Sequence, residues 1–334
     1  MIVPLAFAAD PTKNMTYDHH RSASQRPEAK DINMGRSSSP ERPKQRLMAV
    51  VITTFALFIY AWPMSSMAKD SPTQDRIVSI NLCTDQLLLQ LADASQIVGL
   101  SSLSSDPRSS AMWREAAGFP TTNGTAEAVI KLNPTIVFAG TYSTRATTDL
   151  LRRLGYRVET FTPAQSIEDT KANIMKMAAL TNTTKRGETL IQQIDHALQL
   201  ASERKGTKPN SPPTFSDYGV NGWTSGATSL LGDIATATGF SLLSEELGYI
   251  GGGYIRLEEL IQNQPDYIDF IQDNAPANSL SREQFRHPII DHVKSNVQEV
   301  DIPSRLSLCG SAAIVDVIDS LKLVRAAAST SSAP

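Results

Sequence analysis

The residues able to carry chemistry are few. Cys83 is one of only two cysteines in 334 residues, and it stands in RIVSINLCTDQLLLQLA, where a β-branched run gives way to a helix-forming one. The turn from a strand into the next helix is where α/β sheets meet their ligands. Outside the N-terminal region there are three histidines, His196, His287 and His292. The last two are five apart, a poor helical spacing for one metal, and all three read as surface or capping residues. Nothing matches G-x-x-x-x-G-K-[ST], G-x-S-x-G or H-E-x-x-H, so phosphate-loop, nucleophile-elbow and zinc-helix chemistry find no support. The triple glycine at 251–253 either cradles an anion through its N–H groups or is a flexible turn.

These residues have to be positioned by a βα alternation. Strand signals at 76–80, 97–100, 136–140 and 157–161 alternate with helical ones at 84–91, 127–132 and 146–154, which predicts a mostly parallel sheet covered by helices. Two long helical patterns follow, at 167–180 and 185–203. The second keeps Leu190, Ile191, Ile194, Leu198 and Leu200 on or near one stripe. At 1.5 Å per residue it is about 30 Å long, enough to cross between two domains. KGTKPNSPP then breaks the pattern. A second series follows, with strands at 214–218, 267–271 and 298–302 and helices at 229–237, 256–262, near 287–293 and at 312–325. AEAVIKLNPTIVFAG and LEELIQNQPDYIDFI share one phrase: a glutamate-bearing helix, a proline stop and a buried strand. The expected fold is α/β, two lobes (75–181 and 210–326) with mostly parallel sheets flanked by helices. A single long α-helix at 182–204 bridges them, and 327–334 is a loose tail.

Ahead of this body, residues 1–43 are polar, aperiodic and rich in Ser, Pro and Arg, which predicts disorder or an over-extended gene start. KQRLMAVVITTFALFIYAWPMSSMA, residues 44–68, has a basic flank, an uncharged apolar run and a small-x-small site at Ser66-Met67-Ala68, the pattern of a cleaved signal peptide. A membrane anchor is the alternative, but the run at 47–62 is shorter than the roughly 20 residues of a span. Export would place the body in a periplasm, where a pair of cysteines can be oxidised. Composition is ordinary for a globular chain, 41% hydrophobic, 19% charged and net −3. Eight of the 31 basic and five of the 34 acidic residues fall in the first 68, so the body is net −6. That argues against a nucleic-acid partner held through phosphates.

RIVSINLCTDQLLLQLA, IVGLSSLSSDP and GTAEAVIKLNPTIVFAG, followed by YIRLEELIQNQPDYIDF and RLSLCGSAAIVDVIDSL, resemble in order and spacing the periplasmic substrate-binding proteins of ABC importers for iron-siderophores and vitamin B12. The likeness covers residues 75–323. It implies two α/β lobes bridged by one long helix, a ligand in the cleft between them and little lobe closure, because the spine resists bending. It implies a non-catalytic monomer without a cofactor, whose partners are a membrane permease and that permease's separate ATPase subunit. In the family one exposed glutamate on each lobe docks against permease arginines, and the matching positions are Glu127 and Glu258. Without the family, each reads as an anion complementing a helix N-terminus.

Relatives that bind vitamin B12 carry aromatic residues in cleft-facing loops, at positions occupied here by Leu103, Thr121 and Gly252. The ligand is therefore expected to be an iron-siderophore, with a corrinoid or haem next. Strand ends and loops offer Asn81, Tyr142, Arg145, Tyr218, Trp223, Tyr254 and Arg305 as ligand contacts. Arg145 and Arg305 suit an anionic chelate; Trp223 and Tyr254 suit a flat one. In the family the turns holding Cys83 and Cys309 both face the cleft. The pair then reads as an inter-lobe disulfide, as two buried thiols, or as thiolates contacting a metal-bearing ligand. Two other functions stay open: an exported metal- or phosphate-dependent enzyme using the same cleft, and a ligand-sensing subunit of a membrane receptor.

Overall fold

The computed structural model describes residues 74–203, 212–271 and 283–331. The expected disordered start and signal peptide lie outside the described residues. Strands β1 (Ile77–Ser79), β2 (Ile97–Ser101), β3 (Thr121–Thr122), β4 (Ile136–Gly140) and β5 (Arg157–Phe161) form one sheet in the order β3-β2-β1-β4-β5. Every pairing in it is parallel. Helices α1 (Leu82–Leu91), α2 (Trp113–Ala116), α3 (Ala126–Lys131) and α4 (Arg145–Arg153) connect its strands. α5 (Ile167–Leu180) and the 20-residue α6 (Thr184–Glu203) follow.

The second sheet is built from β6 (Thr214–Tyr218), β8 (Ser241–Leu242), β10 (Tyr267–Phe270) and β11 (Gln298–Val300), ordered β11-β10-β6-β8 and also parallel. β7 (Trp223–Thr224) and β9 (Gly253–Tyr254) pair antiparallel as a separate ribbon. Helices α7 (Leu230–Ala237), α8 (Leu243–Glu246), α9 (Leu257–Gln262) and α10 (Pro288–Asn296) complete the lobe, and α11 (Ile314–Ser331) closes the chain. Two separate parallel sheets thus make the two lobes expected from the sequence. One boundary differs: α11 continues to Ser331, five residues into the segment read as a loose tail from 327.

The bridging helix α6 packs against α5 on one side and α11 on the other. Its buried positions Ile194, Ala197 and Ala201 recur at helical spacing. They enter an apolar cluster that draws on both lobes: Leu88, Leu91, Ile174 and Met177 from the first, Phe215, Ile234, Ile318 and Leu321 from the second. Each fully buried side chain of this size contributes about 1.5–3 kcal/mol. The lobes therefore share their rear core, and each keeps a smaller cluster of its own, around Val137 and Leu151 in the first and around Leu260, Ile268 and Ile290 in the second.

Candidate functional site

The loops leaving the C-terminal ends of β1 and β11 meet between the lobes. Ser79 ends β1, and Asn81 then caps α1, its side-chain oxygen accepting from the N–H groups of Cys83 (3.0 Å) and Thr84 (3.4 Å). This asparagine fits because residue 140 is glycine: a Cβ there would lie 2.7 Å from Asn81 Nδ2. With the helix start fixed, Cys83 reaches across the lobes and is disulfide-bonded to Cys309, the two Cα atoms 5.0 Å apart. Of the three readings left open for the cysteines, the thiol and thiolate ones are set aside, because the sulfurs are committed to each other.

Polar contacts surround this bond. Ser311 donates to Gln86 Oε1 (3.3 Å) and the Ala312 N–H to Gln90 Oε1 (3.2 Å), both glutamines on α1. The N–H of Ile167 at the start of α5 donates to Asp233 Oδ2 on α7 (2.7 Å). Gly310 lets the second lobe's chain approach α5 and the loop before it, since a Cβ on it would sit 2.6 Å from Thr170 Oγ1 and 2.3 Å from the Cβ of Ala164. Beside the disulfide lies a pocket of about 60 Å³ whose walls include Asn81, Cys83, Leu87, Tyr142, Phe161, Pro163, Ala164, Asn173 and Gly310. That volume holds an alkyl-sized group, far below the roughly 300–1,000 Å³ of a drug-sized site. A larger ligand has to lie over it, against the exposed residues of the rims.

The residues expected at the site divide into groups. Asn81, Cys83 and Tyr142 share the pocket wall, Tyr142 being 87% exposed. Trp223 and Tyr254 are not two separate contacts but a cross-strand pair on the β7–β9 ribbon, edge to face with centroids 5.2 Å apart, and 40% and 60% exposed. Arg145, exposed, opens α4, and Arg305, half-buried, sits in a 3-10 turn at Ser304–Leu306. Neither has an ion-pair partner among the described residues. Tyr218 is a correction: it is 4% exposed, its ring edge-on to Phe270 and Phe285. β6 is covered on both faces, so its sequence shows no alternation that would separate an inward ring from a ligand-facing one.

Three buried acids, Asp85, Asp217 and Asp269, went unnoticed in the sequence, and the first two each fasten a loop. Asp85, on α1, accepts from the Ser101 N–H (3.2 Å) and from the Ser101 hydroxyl, fastening the end of β2 to the helix. Burial pushes its carboxyl up to about 7, against the opposing hydrogen bonds of Ser101 and Ser79. Asp217, on β6, accepts from Thr224 Oγ1 (3.1 Å), Ser225 N (2.7 Å) and Ser225 Oγ (2.8 Å), and so anchors the strand that carries Trp223. Burial raises its pKa as well, opposed by those same donors. Of the histidines, His287 caps α10, its Nδ1 accepting from the Ile289 N–H at 3.2 Å. Among the described residues no cluster of three His, Cys, Asp or Glu side chains is arranged to hold a metal ion.

Glu127 and Glu258 occupy equivalent places, exposed in the first turns of α3 and α9, the two six-residue helices that lead into β4 and β10. Their surroundings differ. Glu127 is paired with Lys131 at 2.8 Å, whereas Glu258 has no ion pair among the described residues, its neighbour Glu259 taking Arg256 instead.

Two parallel α/β sheets on a shared helical spine, with a small pocket and exposed rims where their loops meet, define a solute-binding protein. Residues 77–298 match the periplasmic binding protein family, and the chain belongs to it. A cobalamin-binding protein of Halobacterium salinarum is 24% identical over 232 residues, 69% of this chain and 62% of the relative, so the chain spans less than two thirds of the length of the curated relatives it matches. The apo periplasmic heme-binding protein RhuT from Roseiflexus sp. RS-1 superimposes with a TM-score of 0.56 at 18% identity, covering 76% of this chain and 99% of that one. An ABC transporter substrate-binding protein from Listeria monocytogenes gives a TM-score of 0.57 at 15% identity, over 75% and 97% of the two chains. At these identities the structural likeness speaks for the fold. The family and these neighbours are solute-binding proteins, not enzymes, and proteins of this family work with an ABC permease and its ATPase.

Proposed function

We propose that the protein captures a metal chelate between its lobes in the periplasm and hands it to an ABC importer. The chelate in this reading is a flat, metal-bearing macrocycle of the haem or corrinoid kind. The exposed Trp223–Tyr254 pair carries the proposal. Two large rings held against each other on a short ribbon, open to solvent, have little structural reason to stay uncovered. A planar ligand stacked on them gains apolar burial while losing few rotamers, since the rings are already fixed. Tyr142 on the other lobe adds a third exposed ring, and the unpaired guanidinium groups of Arg145 and Arg305 suit the carboxylates that such macrocycles carry. The ligands named for the relatives, haem and cobalamin, support this choice over the siderophore that the first resemblance implied.

Delivery in this reading uses Glu127 and Glu258 as two separated anions on a stiff body, which fixes the receptor's orientation on a cationic permease face. The test is a titration of the purified protein with hemin, cyanocobalamin and a ferric hydroxamate siderophore. A saturable 1:1 change in the absorbance of hemin or cyanocobalamin supports the proposal. Binding of the siderophore alone overturns the macrocycle, and binding of none overturns the chelate reading altogether.

A further inference from the structure

We propose that the Cys83–Cys309 bond is a redox latch on the cleft, so that the oxidised receptor holds its cargo and the reduced one loosens its grip; the cargo half of this statement rests on the function proposed above. The bond joins the lobes at the loop edges that face the pocket, while the helical spine and the shared apolar cluster join them behind. The contacts beside it are two long hydrogen bonds, Ser311 to Gln86 and Ala312 to Gln90, at 3.3 and 3.2 Å, and a shorter one from the Ile167 N–H to Asp233 at 2.7 Å. Without the bond the rear packing persists, and these three hydrogen bonds carry the front edge. The loop edges then separate by a small rotation about the α5–α6–α11 base, within the limited movement a stiff spine allows.

The two sulfurs are not equally accessible. Cys83 is half-buried and forms part of the pocket wall, whereas Cys309 is 1% exposed. A dithiol reductant therefore attacks Sγ of Cys83, since exchange needs access to a sulfur. Its thiolate forms a mixed disulfide with Cys83, the protein S–S bond breaks, and Cys309 leaves as a thiolate that takes up a proton. The reductant's second thiol closes on its own sulfur and releases Cys83. The protein gains two electrons and two protons, and the reductant becomes a cyclic disulfide; a disulfide oxidant reverses the exchange. A ligand lying over the pocket covers Cys83 and shields the bond. By linkage, whatever factor reduction takes from ligand affinity, bound ligand returns as resistance to reduction.

The experiment compares the wild type with the Cys83→Ser/Cys309→Ser variant. Dyes attached to keto-bearing amino acids at Arg153 and Asn263, one on each lobe, report the inter-lobe distance by single-molecule energy transfer. Hemin titration reports binding. The latch predicts a broader, longer distance distribution and about tenfold weaker hemin binding in the variant. If the variant does not fold, the same distances are read on wild type before and after dithiothreitol. Unchanged distances overturn the latch whatever happens to hemin. Changed distances with equal hemin affinity also overturn it, leaving a structural staple. Changed distances with no hemin binding by either form uphold the mechanical half and overturn the haem reading.

Discussion

The two lobes repeat one phrase and then diverge. α3 runs into β4 as α9 runs into β10, each short helix putting a glutamate outward in its first turn and each strand lying one in from an edge of its sheet. At the cleft the lobes part ways. The first ends β4 in an open loop where Tyr142 stands nearly free, whereas the second adds a separate two-stranded ribbon whose aromatic residues brace each other. In the proposed function the repeated part orients the body on the permease and the unrepeated part meets the cargo. That division predicts which substitutions damage delivery and which damage capture.

The largest effect is expected from the repeated part. Reversing both charges, Glu127→Lys with Glu258→Lys, should bring receptor-stimulated ATPase and uptake in a reconstituted importer to background, with ligand affinity unchanged. Both side chains are exposed, so folding should tolerate the change. Loss of ligand binding along with transport would show that the two functions are not divided as the repeat implies.

Much of this frame was legible in the sequence. β4, β5, β6 and α5 have the limits their patterns predict, since each is bounded by Pro, Gly or a polar break that the chain cannot carry through. α1 begins two residues earlier than its apolar pattern, because the cap Asn81 was read as loop. The ribbon was illegible: two residues per strand show no period, and its pairing is long-range. Tyr218 misled because a strand covered on both sides does not alternate. Asp85 sits among buried leucines on α1, and nothing in its type or spacing marked it as a buried acid. Two cysteines in an exported chain made a disulfide admissible, but only the fold brings residues 226 apart in sequence together.

Those buried acids give the next comparison, since each lobe uses one to fasten a loop. A carboxyl with a folded pKa of about 7, against an ordinary value near 4, holds more protons folded than unfolded between those pH values. Stability therefore falls as pH rises from about 4 to 7 and stays reduced above, by on the order of 4 kcal/mol for Asp85. Asp85→Asn should flatten that slope in denaturant titrations at pH 4.5, 6 and 8. Asp217→Asn should act in the same direction. A wild-type slope that survives in both variants would mean that neither acid is protonated on folding.

At the cleft, Trp223→Ala should weaken binding of a macrocycle about tenfold, and Tyr142→Ala less. The ribbon ring is already held by Tyr254, in the kind of edge-to-face pair worth about 0.5–1.5 kcal/mol beyond burial. Tyr142, 87% exposed, has to give up its freedom when the ligand arrives. Equal losses on hemin titration would mean that bracing confers nothing and that the two lobes contribute alike.

The smallest effect separates Glu127 from Glu258, the two glutamates proposed to dock. Glu127 has to leave Lys131, 2.8 Å away and one helical turn on, before it can meet a permease arginine; Glu258 leaves no such partner among the described residues. An exposed pair at this spacing is weak and salt-screened. Lys131→Gln should therefore strengthen receptor–importer association about twofold at low salt, with the gain vanishing at high salt as the pair itself is screened. The same asymmetry makes Glu258→Gln costlier than Glu127→Gln, because the second substitution discards an anion already half-satisfied within its own helix. Equal costs for the two, with no effect of Lys131→Gln, would mean that the docking faces are energetically as alike as their sequences.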